Sequence, residues 1–141
     1  MAWLSIALLA AQLYATDLGT IKQEPNLERR SDLALQYASS ALDTAREAYT
    51  AGNIEKTEAA FEEVESSVDL AYDSLGQTRK DPRRSPKFFK RAEMSTRQLL
   101  RRLDGMMESM SVADRALIEK VRGRVADVHE NLLKGIMSKK K

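Results

Sequence analysis

The sequence predicts an all-α protein, an antiparallel four-helix bundle made of two helical hairpins. Four separate stretches of the 141-residue chain place apolar or small residues alternately three and four positions apart, the spacing that turns one stripe of a helix toward its neighbours. Within each predicted hairpin the connection is only a few residues long, which favours neighbouring helices that run in opposite directions. Charged residues make up 31% of the chain and aromatic residues 6%, a balance typical of helices with solvated outer faces.

The N-terminal stretch 2–15 contains no charged side chain. It is too short to span a bilayer, which requires about 20 apolar residues, but it suits the apolar region of a secretory signal, with Ala15 as the small residue before the cleavage site. We expect residues 1–15 to be a cleaved signal peptide and the protein to be exported, periplasmic or extracellular. The alternative is an apolar helix packed on the bundle of a cytoplasmic protein. Residues 16–24 are predicted to be a flexible lead-in.

The first hairpin is predicted over about 25–51 and 54–75. Pro25 suits the first position of a helix because its missing N–H has no partner there, and Gly52 and Asn53 indicate the turn. Gly76 is predicted to end the second helix. The predicted buried stripe is rich in alanine in the first helix and bulkier in the second: Leu27, Ala34, Ala38, Ala41, Ala45 and Ala48, flanked by Leu35, Leu42 and Tyr49, then Ile54, Thr57, Phe61, Val64, Val68, Ala71 and Leu75.

The second hairpin is predicted over about 86–109 and 111–135. It follows a basic linker, 77–87, whose prolines Pro82 and Pro86 exclude a regular helix. Ser111 with Asp114 three residues later resembles a capping box and predicts the start of the last helix. The single domain thus covers 25–137, and a solvated lysine tail covers 138–141. The predicted buried stripes are Phe89, Ala92, Thr96, Leu99, Leu103, Met106 and Met110, then Ile118, Val121, Val125, Val128 and Leu132.

The residue types exclude most catalytic chemistry. The chain has no cysteine and a single histidine, His129, which excludes thiol nucleophiles, thiolate metal sites and two-histidine metal motifs within one chain. Its six glycines are scattered, so no phosphate loop is present. We therefore predict no catalytic, cofactor-binding or metal-binding residues and no enzyme. A further hypothesis is a ligand or soft-metal carrier using Met106, Met107 and Met110, against the alternative that these methionines fill the core.

Charge is distributed in blocks, although the net charge is only +2. Residues 54–75 contain seven acids and one base, whereas 79–102 contain ten bases and two acids. Phe88 and Phe89 lie among the bases, a combination found in segments that bind anionic membranes or single strands. The alternative is internal pairing between the acidic and basic helices, if these are neighbours. The candidate residues for binding an anion or a partner are Arg79, Lys80, Arg83, Arg84, Lys87, Lys90 and Arg91.

Two functions follow as hypotheses. The first is a non-enzymatic exported helical-bundle protein, accessory or structural, that acts through contacts with a protein partner or with further copies of itself. The alternative is a binding module for anionic surfaces, such as a membrane, a cell-wall polymer or a nucleic acid, through residues 79–91. No small-molecule substrate and no cofactor is inferred. Because charge-driven binding weakens steeply with added salt, the salt dependence of binding separates the two hypotheses.

Overall fold

The computed structural model describes residues 17–138, and this part of the chain is all-helical, without strands. The predicted signal peptide 1–15 and residues 139–141 of the predicted lysine tail lie outside the described residues. A 3₁₀ turn, Val112–Asp114, separates the last two helices. The α-helices are α1 Leu18–Lys22, α2 Leu27–Thr50, α3 Ile54–Gln77, α4 Lys87–Ser109 and α5 Ala116–Met137.

The helices pack in a way that is compatible with a bundle, and the all-α prediction is confirmed. The most extensive contact joins α2 to α3, and the next joins α4 to α5. The two pairs meet where α3 packs on α5 and where α2 packs on α4. In contrast, α3 and α4 touch at only a few residues. The acidic helix α3 and the basic helix α4 therefore lie at opposite corners of the packed helices.

The core consists of the predicted stripes. Nearly all of the residues predicted to be buried are buried, including the alanines of α2 and the valines of α5. Three are not: Leu27 and Tyr49 are half-buried and Ile54 is 39% exposed. Leu27 and Ile54 are the first residues of their helices, where the chain reaches the end of the packed region and fewer neighbours cover it. Ser31 and Ser74 are also buried, although a pattern of apolar residues does not predict them.

Several helix ends differ from the predicted ones by a few residues. The α2 helix begins after Asn26, whose side-chain oxygen accepts the N–H of Arg29 at 3.0 Å, so an asparagine cap rather than Pro25 sets the start. The α3 helix continues through Gly76, and Arg79 takes the left-handed conformation with φ 56°. A glycine ends a helix when the chain turns left-handed at that glycine, and Gly76 stays helical. Gly135 likewise stays helical, so α5 continues past it to Met137.

The predicted lead-in 16–24 contains the short helix α1. The Asp17 carboxylate accepts the N–H of Thr20 at 2.8 Å, which caps the helix and lowers the pKa of Asp17. Ile21 is buried, and α1 packs on α2. From Asp17 onward the segment is therefore held by an apolar contact. A single isoleucine among polar residues produces no periodic signal, so the sequence alone does not predict this helix.

The turn between α4 and α5 is tied to the end of α2. The Tyr49 hydroxyl donates to the Asp114 carboxylate at 2.9 Å and accepts the N–H of Ser111 at 3.1 Å. The Ser111 hydroxyl also donates to Asp114, at 2.9 Å. The predicted capping box is wrong in its detail, because the Ser111 side chain caps no backbone N–H and α5 begins only at Ala116, after the 3₁₀ turn.

Candidate interface on the linker and α4

The basic linker between α3 and α4 is organised by Asp81. Its carboxylate accepts the backbone N–H of Arg83 at 2.9 Å and pairs with the Arg83 guanidinium at 3.3 Å, and these bonds lower the pKa of Asp81. The Asp81 carbonyl accepts the N–H groups of Arg84 and Ser85. The Arg84 guanidinium lies 4.0 Å from the same carboxylate, and its side chain is 73% exposed. The result is a hydrogen-bonded turn that presents two arginines, of which Arg84 is the freer.

Two bases of the candidate site form ion pairs with another helix, α2. Lys80 pairs with Glu28, and Arg91 lies 3.1 Å from Asp32. Burial raises the pKa of Asp32, and the nearby charge of Arg91 opposes this effect. Among the ion pairs of residues 17–138, none joins the segment 79–91 to α3. The prediction that the basic segment pairs with the acidic helix α3 is therefore wrong. The segment pairs with α2 instead, because α3 and α4 touch at only a few residues.

The two phenylalanines within the basic segment have different environments. Phe89 is buried in the core. Phe88 is half-buried, and its ring is covered by Lys87 at 5.3 Å and by Arg91 at 5.6 Å, measured to the ring centroid. These distances fall within the range of cation–π contacts. Neither ring is thus an open platform on which a nucleic-acid base could stack.

The basic surface continues along α4 beyond the residues that sequence reasoning selected. The outward face of α4 has the residues Lys87, Lys90, Arg91, Met94, Arg97 and Arg101, all exposed, which we name the basic stripe. At the rise of an α-helix it is about 21 Å long. Arg97 pairs with Glu93 at 3.1 Å within the same helix, whereas Lys90 and Arg101 form no ion pair with other described residues. The three-and-four spacing of 90, 94, 97 and 101 is the sequence signal that could have identified it.

The outward face of α3 is its acidic counterpart. Glu55, Glu58 and Glu62 form no ion pair within the described part of the chain. Glu65 lies 4.0 Å from Lys120 of α5. Glu58, Glu62 and Glu65 border a cavity of about 210 Å³ between α3 and α5 that we name the acidic groove, lined also by Phe61, Ala116, Leu117, Lys120 and Val121. Phe61 and Val121 are almost fully buried and form an apolar floor.

The remaining candidate residues lie in or at the edge of the core. His129 is mostly buried, with Nε2 3.5 Å from the Glu93 carboxylate. Met106 and Met110 are buried in the core, and Met107 packs against it. Within residues 17–138 no group of three or more histidine, cysteine, aspartate or glutamate residues is arranged to hold a metal ion. The methionine positions favour the core-filling interpretation of these residues.

None of the helices between residues 17 and 138 has the length and apolar character needed to cross a bilayer. Comparisons with protein-family models, with curated proteins and with solved structures gave no match to this chain.

Proposed function

We propose that this chain is a non-enzymatic interaction protein, accessory or structural, that binds an acidic protein partner through the basic stripe. The observation that supports it most is the placement of α3 and α4 at opposite corners. Adjacent helix axes lie about 8–10 Å apart, so the outward faces of diagonal helices are separated by more than the roughly 8 Å screening length at physiological salt. The acidic helix therefore does little to neutralise the stripe, which remains available to a partner.

The composition of the stripe favours a protein as the partner. Three of its bases are arginines, whose planar guanidinium binds a carboxylate through two parallel hydrogen bonds. Met94, in the middle of the stripe, is 60% exposed. Exposed methionine and arginine are enriched at protein interfaces, whereas lysine is depleted there. An apolar side chain surrounded by arginines suits a surface that offers both an apolar depression and carboxylates.

The second candidate function is binding to an anionic surface through residues 79–91. The exposure of Arg84 and the absence of an ion pair to Lys90 among the described residues favour it. Both bases could face a flat polyanion without first breaking a strong internal contact. A membrane, a cell-wall polymer and a nucleic acid share this chemistry.

A salt series separates the two functions. Full-length protein is titrated with poly-glutamate, with vesicles of anionic lipid and with a single-stranded oligonucleotide, from low to high salt. We expect binding to poly-glutamate that is lost as salt rises and that falls strongly when Arg97 and Arg101 are both changed to Gln. Arg29→Gln with Lys134→Gln is the matched control, because it removes two exposed charges elsewhere.

The outcomes differ in a measurable way. A wild type that does not bind poly-glutamate at low salt contradicts the proposed function. Preferred binding to vesicles or to the oligonucleotide, lost on changing Arg83, Arg84 and Lys87 together to Gln, supports the second candidate instead. An equal loss in the control variant would show that only net charge matters and would contradict a defined binding stripe.

The proposal also includes the finer topology, an antiparallel arrangement of two hairpins. The connection between α2 and α3 has three residues and that between α4 and α5 has six, including the 3₁₀ turn. Connections this short favour neighbours that run in opposite directions. The hydrogen bond from Tyr49 to Asp114 brings the end of α2 beside the α4–α5 turn. In this arrangement the helices run in opposite directions within each hairpin, whereas α2 and α4 run in the same direction.

Export remains a proposal that rests on the uncharged residues 2–15. Trp3 is the only tryptophan of the chain, so a mature protein cleaved after Ala15 contains none. The intact mass and the tryptophan fluorescence of the native protein test this. A mature species that retains Trp3 would contradict cleavage of the signal peptide.

A further inference from the structure

We infer that the acidic partner is a second copy of this chain, whose acidic groove receives the basic stripe of the first. This inference rests on the proposed function and names the partner of the same stripe. Each molecule then has two unlike docking faces, the stripe on α4 and the groove between α3 and α5. Because α3 and α4 lie at opposite corners, both faces of one molecule are open to different neighbours at once.

The groove offers what the stripe requires. Its floor is apolar, formed by Phe61, Val121 and the half-buried Leu117. Its volume of about 210 Å³ leaves room for one apolar side chain. Glu58 and Glu62 stand on its α3 edge, exposed and without an ion pair to any described residue. Of this floor only Leu117 is partly accessible, because Phe61 and Val121 are almost fully buried. The partly open cavity and the unpaired carboxylates beside it are the surface on which an apolar side chain flanked by arginines can dock.

The stripe is similar in length to the row of acids on the α3 edge of the groove. Lys90, Met94, Arg97 and Arg101 follow one another at spacings of four, three and four along α4, over about 16 Å. Glu55, Glu58, Glu62 and Glu65 follow at spacings of three, four and three along α3, over about 15 Å. Two helices laid side by side can therefore bring a base near each of several acids while Met94 enters the groove.

Two properties of the molecule help this association. The net charge of the whole chain is only +2, so copies repel each other weakly and the local charges decide how they approach. Lys120, the one base in the groove, is 79% exposed and lies 4.0 Å from Glu65. Such an exposed, loose pair costs little to break, so Lys120 can turn outward when an arginine of the second copy approaches.

The contact is heterologous, because the stripe of one copy meets the groove of another. Such contacts form a ring if the rotation between copies closes, and an open chain if it does not. A variant without functional stripe charges keeps its groove, and a variant without groove charges keeps its stripe. Mixing the two variants should therefore restore one contact and stop at a pair, a result that a symmetric contact or nonspecific aggregation does not give.

The test is the solution mass of the full-length protein, measured by sedimentation from low to high salt and over a range of concentrations. We expect wild type to exceed the monomer mass at low salt and to return to it at high salt. Arg97→Gln with Arg101→Gln should remain monomeric, and so should Glu58→Gln with Glu62→Gln. An equimolar mixture of these two variants should reach twice the monomer mass and go no further.

Matched controls keep the result interpretable. Glu130→Gln with Lys134→Gln alters an exposed pair on α5 outside both faces and should associate like wild type, and circular dichroism checks that every variant is folded. A monomeric wild type at low salt overturns the inference, as does a mixture that does not pair. If that wild type still binds poly-glutamate, the proposed function stands with another acidic protein as partner. If it binds neither, both proposals fail.

Discussion

Replacing Ala41 with leucine should lower the free energy of unfolding by about 1–3 kcal/mol. Ala41 is 4% exposed, in the middle of α2 on the side that forms the core. Leucine adds three carbon atoms, which would be worth about 2 kcal/mol in favour of folding if space for them existed. Because Ala41 is already almost fully covered by the core, the larger side chain must force the helices or its own rotamer out of position. Helix propensity changes little, since alanine and leucine are both good helix formers.

Urea denaturation measures the effect. With a slope near 2 kcal/mol per molar, a loss of this size lowers the midpoint by about 0.5–1.5 M. Ala59→Leu is the matched control, because Ala59 lies on α3 but is exposed, and its midpoint should hardly move. An unchanged or higher midpoint for Ala41→Leu would refute the close approach of α2 to its neighbours. An equal loss in both variants would assign the effect to something other than packing.

Three further predictions concern glycine, pH and a hydrogen bond. Gly123→Ala should raise the free energy of unfolding by about 0.5–1 kcal/mol, seen as a higher urea midpoint, because the new Cβ meets nothing within 4 Å in the α5 helix. Gly135→Ala should gain less stability, because its Cβ would lie 3.3 Å from Pro82. Burial raises the pKa of Asp32, so the folded chain holds this proton to higher pH than the unfolded chain, and the associated stability is lost as pH rises through the folded pKa. Asp32→Asn, which cannot ionise, should thus gain stability relative to wild type in urea titrations as pH rises from below the ordinary pKa of an aspartate to neutrality, and a difference that stays constant over this range would contradict it. Tyr49→Phe removes the hydroxyl that binds the α4–α5 turn and should lower the free energy of unfolding by about 1 kcal/mol in urea denaturation. An unchanged free energy would contradict a stabilising role of this hydroxyl.

The helices and their buried faces could be predicted because helix geometry is local. An apolar residue every three or four positions marks one stripe whatever the neighbours are. Val64 and Val68 of α3 and Val121 and Val125 of α5 are buried as that spacing requires. The ends were less certain, since they depend on which polar group caps the first free N–H groups. Asn26 caps α2, although Pro25 also suits a helix start.

The candidate site could be predicted only in part. The bases at 79–91 were visible as a block of charge, but the acids that they meet were not. Lys80 and Arg91 pair with Glu28 and Asp32 of α2, which is separated from them by the whole of α3. A charge block carries no information on which helix will lie beside it. The exposure of Met94, in contrast, follows from the sequence, because Met94 lies off the predicted buried stripe of Ala92 and Thr96.

The sequence by itself determined that the chain forms long amphipathic helices, which residues face the core, and that acids and bases occupy different helices. These properties follow from the spacing of residues along one helix, and they are the same whichever neighbouring helix covers the buried stripe. Only the tertiary structure decided the lateral order, with α2 and α5 each in contact with both α3 and α4. That order depends on how four stripes of different bulk fit together at once. It separates the acidic face of α3 from the basic face of α4 and leaves both charged surfaces exposed.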